Sequence, residues 1–405
     1  MQPLSKYRVV SFGQAWAAPY GDMMLADMGA DVIKVEPPGI GDHVRKWTRS
    51  DLKGLSPHLM AVNRNKRGIV IDLTKAEGRE LAIRLMESAD AVIENFSPGT
   101  MKKLGVDYDS VKERCPRLVY CSVSGFGNSG PYAKRPAYDM IIQGEGGFIS
   151  VTGTEDGQHA KLGAPVLDVM TAMIAAYSIV CALLERDNTG KGRYLDIAMI
   201  EAAASAQGFN LISYSFTGEM PKPLGTAHPL LAPYQVYSTQ SIPISIGILT
   251  DLHWGLFCRH VIDRPDLVED PRFVTAMARI DHRIELNEIL IPLFLTQKAD
   301  YWLERLDAHE LVCGGVNDMD SLLHHPQLAA RNFFYKWPTP VGDIAVPGMP
   351  WRQDSRDQPV KRMPPGLGEH SEEILGDWLS LPADEIARLK AAGVIVNTVN
   401  ANDPA

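Results

Sequence analysis

Between Val9 and Ala198, short apolar runs alternate with stretches whose apolar residues recur at helical spacing, and this restricts the fold more than any other feature. Val9-Val-Ser-Phe12 reads as a buried strand, Tyr20 to Met28 as a helix and Asp31 to Glu36 as a second strand, which makes a βαβ unit. The pattern recurs with strand Gly68 to Leu73, helix Lys75 to Ser88, strand Ala91 to Glu94, a helix around Asp109 to Arg114 and strand Leu118 to Ser122. A helix opened by Asp168, a strand from Tyr194 to Ala198 and a helix from Glu201 to Tyr214 follow. Strands joined through helices lie parallel, with helices covering both faces. The expectation is an α/β chain with a doubly wound parallel sheet of Rossmann-like kind.

Beyond Pro221 to Pro233, where prolines and glycines interrupt any period, the pattern changes. Gln235 to Ile248 reads as two short strands, followed by helices at Leu252 to Val261, Arg283 to Phe294, Lys298 to Leu306 and Met319 to His324. With 405 residues, 45% of them hydrophobic, two cores are expected. The boundaries read as a large domain over 1–220, a smaller α+β domain over 225–330 and a linker over 331–345. A second proline-rich stretch, Pro338 to Pro365, precedes a short helix from Pro382 to Ala392.

A formal net charge of −9 argues against nucleic acid or an anionic membrane as the main partner. An anionic ligand then needs locally clustered Lys and Arg. Five cysteines without a C-x-x-C pair read as reduced, mostly buried thiols. The eleven histidines form no metal-ligand spacing, so no metal is assigned. The N-terminal residues lack the apolar core of a secretory signal. The most apolar helix, read as Val169 to Leu184, is shorter than the roughly 20 residues of a membrane span. A soluble, cytoplasmic protein with no membrane partner is expected.

The chemistry concentrates between Ser124 and Met173. A turn, Gly125-Phe-Gly-Asn-Ser-Gly130-Pro131, leads to Tyr138-Asp139 and then to Gly163-Ala-Pro-Val-Leu-Asp168. An aspartate before an apolar helix is ordinarily an N-cap that accepts a backbone N–H. It is also able to act as a nucleophile on an activated acyl group, with neighbouring N–H groups stabilising the oxyanion.

The chain resembles the class III CoA-transferases, which include formyl-CoA:oxalate and carnitine CoA-transferases, together with the related α-methylacyl-CoA racemases. The resemblance runs through Ala18-Pro19, Gly29-Ala-Asp-Val-Ile-Lys-Val-Glu36, Asn65-Lys66-Arg67, Glu94-Asn95-Phe96, Ser124-Gly-Phe-Gly127, Gly130-Pro131, Thr189-Gly-Lys-Gly-Arg193 and Leu367-Gly-Glu-His370. It implies a large domain completed by residues 345–405 and an interlocked homodimer. It also implies transfer of CoA from an acyl-CoA to a free carboxylic acid, with no tightly bound cofactor and CoA itself as substrate. By resemblance Asp168 attacks the thioester carbonyl to give an aspartyl mixed anhydride; the acceptor carboxylate takes over the acyl group, and the thiolate returns to release the new thioester.

The same resemblance places Gln14, Ala15, Trp16 and Ala17 at the CoA arm and acyl group, and Ile71, Asn95, Phe96, Lys103 and Tyr138 along the CoA path. Trp16 and Ala17 alternatively pack beneath the Asp168 helix. Lys103 stands where those enzymes have an arginine, and keeps the charge without the bidentate fork. Pro37 replaces another arginine, a loss Arg45 is expected to offset. The basic cluster Asn63-Arg-Asn-Lys-Arg67, with Lys66 at its centre, reads either as solvated surface or as a holder of CoA phosphates. Asp139 matches a glutamate near the transferase active site, or forms a structural salt bridge.

Two phosphate-binding readings fail. The first βα loop, Gly13-Gln-Ala-Trp-Ala-Ala-Pro19, lacks the later glycines of a dinucleotide fingerprint, although Glu36 stands where a ribose-binding acid would. Thr189-Gly-Lys-Gly-Arg193 follows a helix instead of preceding one, and reads as a C-cap and turn. The rival activity is α-methylacyl-CoA racemisation, which needs a second acid/base group opposite the aspartate. Racemases carry His-Asp where this chain has Tyr138-Asp139, and the nearest downstream histidine is His159. The run of glycines that closes over the formyl-CoA transferase intermediate is missing between Leu224 and Gly247, and Trp16 replaces a glutamine. Both favour an acid larger than oxalate.

Overall fold

The computed structural model describes residues 2–351 and 360–396. The chain forms two compact units, one of residues 1–148, 161–219 and 331–405 and the other of residues 149–160 and 220–330. In the first, strands β1 (Arg8–Phe12), β2 (Asp31–Glu36), β3 (Arg67–Val70), β4 (Ala91–Glu94), β5 (Val119–Ser124) and β6 (Arg193–Ala198) make a parallel sheet. Its order is β3-β2-β1-β4-β5-β6, so the winding reverses between β1 and β4.

Both faces of this sheet are covered, which explains why its central strands read as continuous apolar runs. On one face Val10, Phe12, Ile33 and Ile69 pack with Leu81 and Leu85 of helix Ala76–Glu87 and with Ile374, Leu375, Ile386 and Leu389 of helices Ser371–Leu379 and Ala383–Ala391. On the other, Val9, Val32, Val119 and Cys121 meet Leu25 of helix Ala17–Asp27 and Ala175, Ile179 and Leu183 of helix Val166–Thr189. These two helices approach closely because Gly21 carries no side chain: a Cβ there would lie 2.7 Å from the Ala172 carbonyl oxygen.

Residues 371–395 close the edge beside β3. Ile71 bridges Ile395, Asp72 N donates to Val394 O, and Arg67 pairs with Asp31, Glu373 and Asp377.

In the second unit β7 (Tyr234–Tyr237), β8 (Ile244–Gly247) and β9 (Val312–Gly315) form an antiparallel sheet. Trp254, Phe257, Leu286, Leu290, Phe294, Trp302 and Leu306 make its core. Segment 149–160 joins it, with Gly225 N bonded to Gly153 O.

Three expectations need correction. Residues 331–345 are not a bare linker: β10 (Phe334–Trp337) pairs with β11 (Ile344–Pro347) as a hairpin of the first unit. The Asp168 helix runs for 24 residues, Val166–Thr189, because its capping lies outside the apolar stretch. By length and composition alone it is able to cross a bilayer, so the length criterion fails; its Leu167, Ala175, Ile179 and Leu183 are instead buried in the protein core. The helix expected over Glu201 to Tyr214 breaks at Gln207 into Met199–Ala206 and Gly208–Thr217. Part of the Pro338 to Pro365 stretch (352–359) and residues 397–405 lie outside the described residues.

Candidate active site

Where the winding reverses, the loops leaving β1 and β4 diverge and open a crevice beyond the carboxyl ends of the strands, the place where open α/β sheets bind ligands. A cleft of 220 Å³ lies there. Gln14, Ala15, Trp16 and Ala17 from the β1 loop, Asn95 and Phe96 from the β4 loop, Gly125 after β5, Tyr138 and Asp168 all line it. Seven expected CoA-contact residues and the expected nucleophile thus share one cavity. Asn95 ties the two loops together, accepting from Gln14 N at 2.8 Å and donating to Gln14 O at 2.9 Å.

Asp168 is not an N-cap. The helix begins at Val166, after Pro165, and Asp168 is its third residue. The capping is done from a distance by Asp139, whose Oδ1 accepts from Leu167 N at 2.8 Å and Asp168 N at 3.1 Å. Its Oδ2 accepts from the buried Gln143, whose Oε1 in turn accepts from Leu162 N at 2.8 Å. Asp139 therefore forms no salt bridge among the described residues; it ends the loop and starts the helix. The Asp168 carboxylate is left without a donor among those residues. Burial, and then the neighbouring Asp139 charge, push it from the ordinary 3.8 up to about 7.

A second cavity of 380 Å³ is lined by Phe12, Val35, Pro37, Pro38, Ile71, Leu73, Phe96 and Leu104. Phe96 borders both cavities. Ile71 is fully buried in its wall. Lys103 lies on the neighbouring short helix Thr100–Leu104, exposed and with no carboxylate partner among the described residues.

Two expected CoA contacts are committed elsewhere. Lys66 is fully buried; its Nζ pairs with Asp22 and donates to Pro19 O, Val62 O and Asn63 Oδ1. Burial, partly offset by Asp22, pulls it down to about 8. Arg64 pairs with Asp27 in the same way, so the cations of Arg64 and Lys66 are buried against carboxylates and not offered to phosphate. Arg45 grips Glu36 with both Nε and Nη2 and also donates to Pro365 O, which removes Glu36 from any ribose-binding role.

Sequence reasoning missed His43, the histidine that lines the cleft with Asp168. Its Nδ1 lies 3.3 Å from Gln14 Oε1, its Nε2 is shielded from water without a hydrogen-bond partner among the described residues, and its ring meets Trp47 edge to face. No spacing in the sequence links residues 43 and 168; only the sheet's winding does.

Residues 4–371 match CoA-transferase family III. A succinate–glutarate CoA-transferase of Agrobacterium fabrum is 34% identical over 383 residues, covering 93% of this chain and 95% of that protein. An acetyl-CoA:oxalate CoA-transferase of Acetobacter aceti is 33% identical, covering 92% of this chain and 94% of that one. A CaiB/BaiF family crystal structure from Brucella suis, 36% identical, superposes with a TM-score of 0.83 over 93% of this chain and 99% of its own. The switch-point cleft, its solitary carboxylate and a match over nearly the whole length lead to one conclusion: the chain belongs to CoA-transferase family III and is a class III CoA-transferase.

Proposed function

We propose that this enzyme moves CoA between carboxylic acids through covalent intermediates on Asp168. The observation that carries this is the Asp168 carboxylate in the cleft, pushed up to about 7 with no donor holding it among the described residues. In its ionised form one oxygen attacks the thioester carbonyl carbon; the C–S bond breaks and CoA leaves as thiolate with the electron pair, giving an aspartyl mixed anhydride. Thiolate attack on the aspartyl carbonyl releases the donor acid and leaves an aspartyl thioester. The acceptor carboxylate displaces the thiolate to form a second anhydride, and the thiolate then takes the acceptor acyl group, regenerating Asp168. Charge is conserved at each step, and no redox or metal chemistry enters.

The chain of two cavities meeting at Phe96 suits an elongated thioester, with the reacting end at Asp168 and the apolar part of CoA against Ile71, Phe96 and Leu104. Lys103 supplies charge for a phosphate. Two of the relatives are named for succinate or succinyl-CoA with glutarate, which makes succinyl-CoA with glutarate the first donor–acceptor pair to assay. Exposed apolar side chains along two helices, among them Met173, Tyr177, Phe209, Ile212 and Phe216, support a homodimer, and we place the enzyme in the cytoplasm.

Incubation with acyl-CoA followed by hydroxylamine should leave a hydroxamate on Asp168, read by peptide mass spectrometry. Asp168→Ala should abolish transfer. A variant with near-normal turnover would refute the mechanism.

His43 motivates a second reading, racemisation of an α-methylacyl-CoA, because it places a possible base in the cleft with Asp168. That chemistry requires α-deuteration of the thioester in heavy water without any acceptor, dependent on both Asp168 and His43. Transfer without such exchange excludes it.

A further inference from the structure

Beneath the β1 loop lies a set of charges that the chemistry above does not use. Lys34 on β2 and Asp42 are both fully buried, with Nζ and Oδ2 2.8 Å apart. Each also reaches the loop. Lys34 donates to Gly13 O at 2.6 Å, and Asp42 accepts from Ala15 N with both oxygens at 3.2 Å. Asp42 further accepts from Val44 N, and its own N–H donates to Glu36. Behind this pair Lys66 and Asp22 make a second buried pair, with Ser11 bonded to Asp22 and Gly13 N bonded to Ser11.

The loop needs such anchoring because Ala15 is left-handed, with φ of 56°, a conformation that a non-glycine residue adopts only where its surroundings impose it. On its N-terminal side Gln14 is pinned by Asn95 and Gly13 by Lys34, and its own N–H is held by Asp42. Ala15 and the residues on either side of it border the cleft that holds Asp168. Exposed loops do not require two full charges beneath them. Removing one leaves the other unpaired in the interior, so the loop geometry that both hold is lost with either.

We propose that Lys34 and Asp42 are positioning residues for acyl transfer, holding the left-handed Ala15 turn so that the Gln14–Ala17 backbone keeps its place against the acyl group on Asp168. This rests on the transfer reading given above. The pair touches no substrate itself.

The test is single-turnover thiol release from acyl-CoA in Asp42→Asn, normalised to folded protein by circular dichroism, beside CoA affinity by calorimetry. Acyl-enzyme formation on wild-type Asp168 is established first; its absence overturns the transfer reading itself, independently of the pair. With it present, Asp42→Asn should slow acylation at least tenfold per folded molecule while CoA affinity changes less than threefold. Adding Ala15→Gly to Asp42→Asn should recover part of the rate, because glycine enters the left-handed region unaided. Unchanged acylation, or a loss of CoA affinity equal to the loss of rate, overturns the positioning role. Should Asp42→Asn not fold, Lys34→Met with Asp42→Leu removes both charges and carries the same measurement. If neither folds, the pair serves the fold alone and the proposal falls.

Discussion

Replacing Asp168 by Asn should make the protein more stable, and more so at high pH. The rise of this carboxylate from 3.8 to about 7 means that ionising it in the folded chain requires about 4 kcal/mol more than in the unfolded chain. Because the side chain is partly exposed, that figure is a ceiling. The sign follows from linkage. A carboxyl whose folded value is raised holds its proton longer in the folded state, so its favourable contribution is complete below pH 3.8 and is lost as pH rises through about 7. At pH 8 wild type carries the whole penalty, whereas at pH 5 only the unfolded chain has ionised and the penalty is about 1.5 kcal/mol. Asparagine has the same shape and no charge. Its stability gain should therefore grow by about 2 to 3 kcal/mol between pH 5 and pH 8, measured by urea unfolding of both proteins at both pH values. Glu94, also raised to about 7 by burial, is present in both proteins and cancels. A gain that is the same at the two pH values would refute the claim that Asp168 is held in an environment hostile to its charge.

The same carboxylate must be ionised to attack, so acylation should fall about tenfold for each pH unit below about 7, and Asp139→Asn, which removes the like charge but keeps an acceptor for Leu167 and Asp168 N–H, should shift that limb to lower pH in stopped-flow thiol release. An unmoved limb would assign the shift to burial alone. Lys66→Met should lower stability by about 3 to 5 kcal/mol by leaving Asp22 unpaired, with the loss appearing in the urea midpoint and not in CoA affinity. Gly21→Ala should cost about 1 to 3 kcal/mol and reduce turnover as well, since its methyl group meets the Ala172 carbonyl on the helix that carries Asp168; intact stability in a melting experiment would contradict the close approach.

The parts that sequence made legible are those governed by local period. Strands Asp31–Glu36 and Ala91–Glu94 and helix Arg283–Phe294 have the expected bounds, because a short continuous apolar run marks a strand buried on both faces and Leu286, Leu290 and Phe294 recur at helical spacing. What sequence left hidden depends on residues far apart along the chain. The cap of the Asp168 helix comes from Asp139, the counter-charge of Lys66 from Asp22, and the histidine of the cleft from a loop more than a hundred residues earlier. A cluster such as Asn63 to Arg67 looks like surface because its partners lie on other elements, and burial of a charge cannot be read from its neighbours in sequence. Helix Ser371–Leu379 was missed for a related reason: its apolar side faces β3, whose open edge the sequence does not advertise.

That edge has a consequence for how the protein is made. The sheet's β3 side is finished by residues 371–395, which leave the ribosome roughly 300 residues after Ile71. At about 5 to 20 residues per second, this leaves Ile69, Leu81 and Leu85 without their final covering for about 15 to 60 seconds of every synthesis. During that interval the nascent chain presents an apolar sheet face and an unpaired strand edge, the two features that holdase chaperones capture and that drive aggregation. A message truncated before codon 371 would leave this state permanent, so quality control of this enzyme is decided by the arrival of two short helices that carry none of its chemistry.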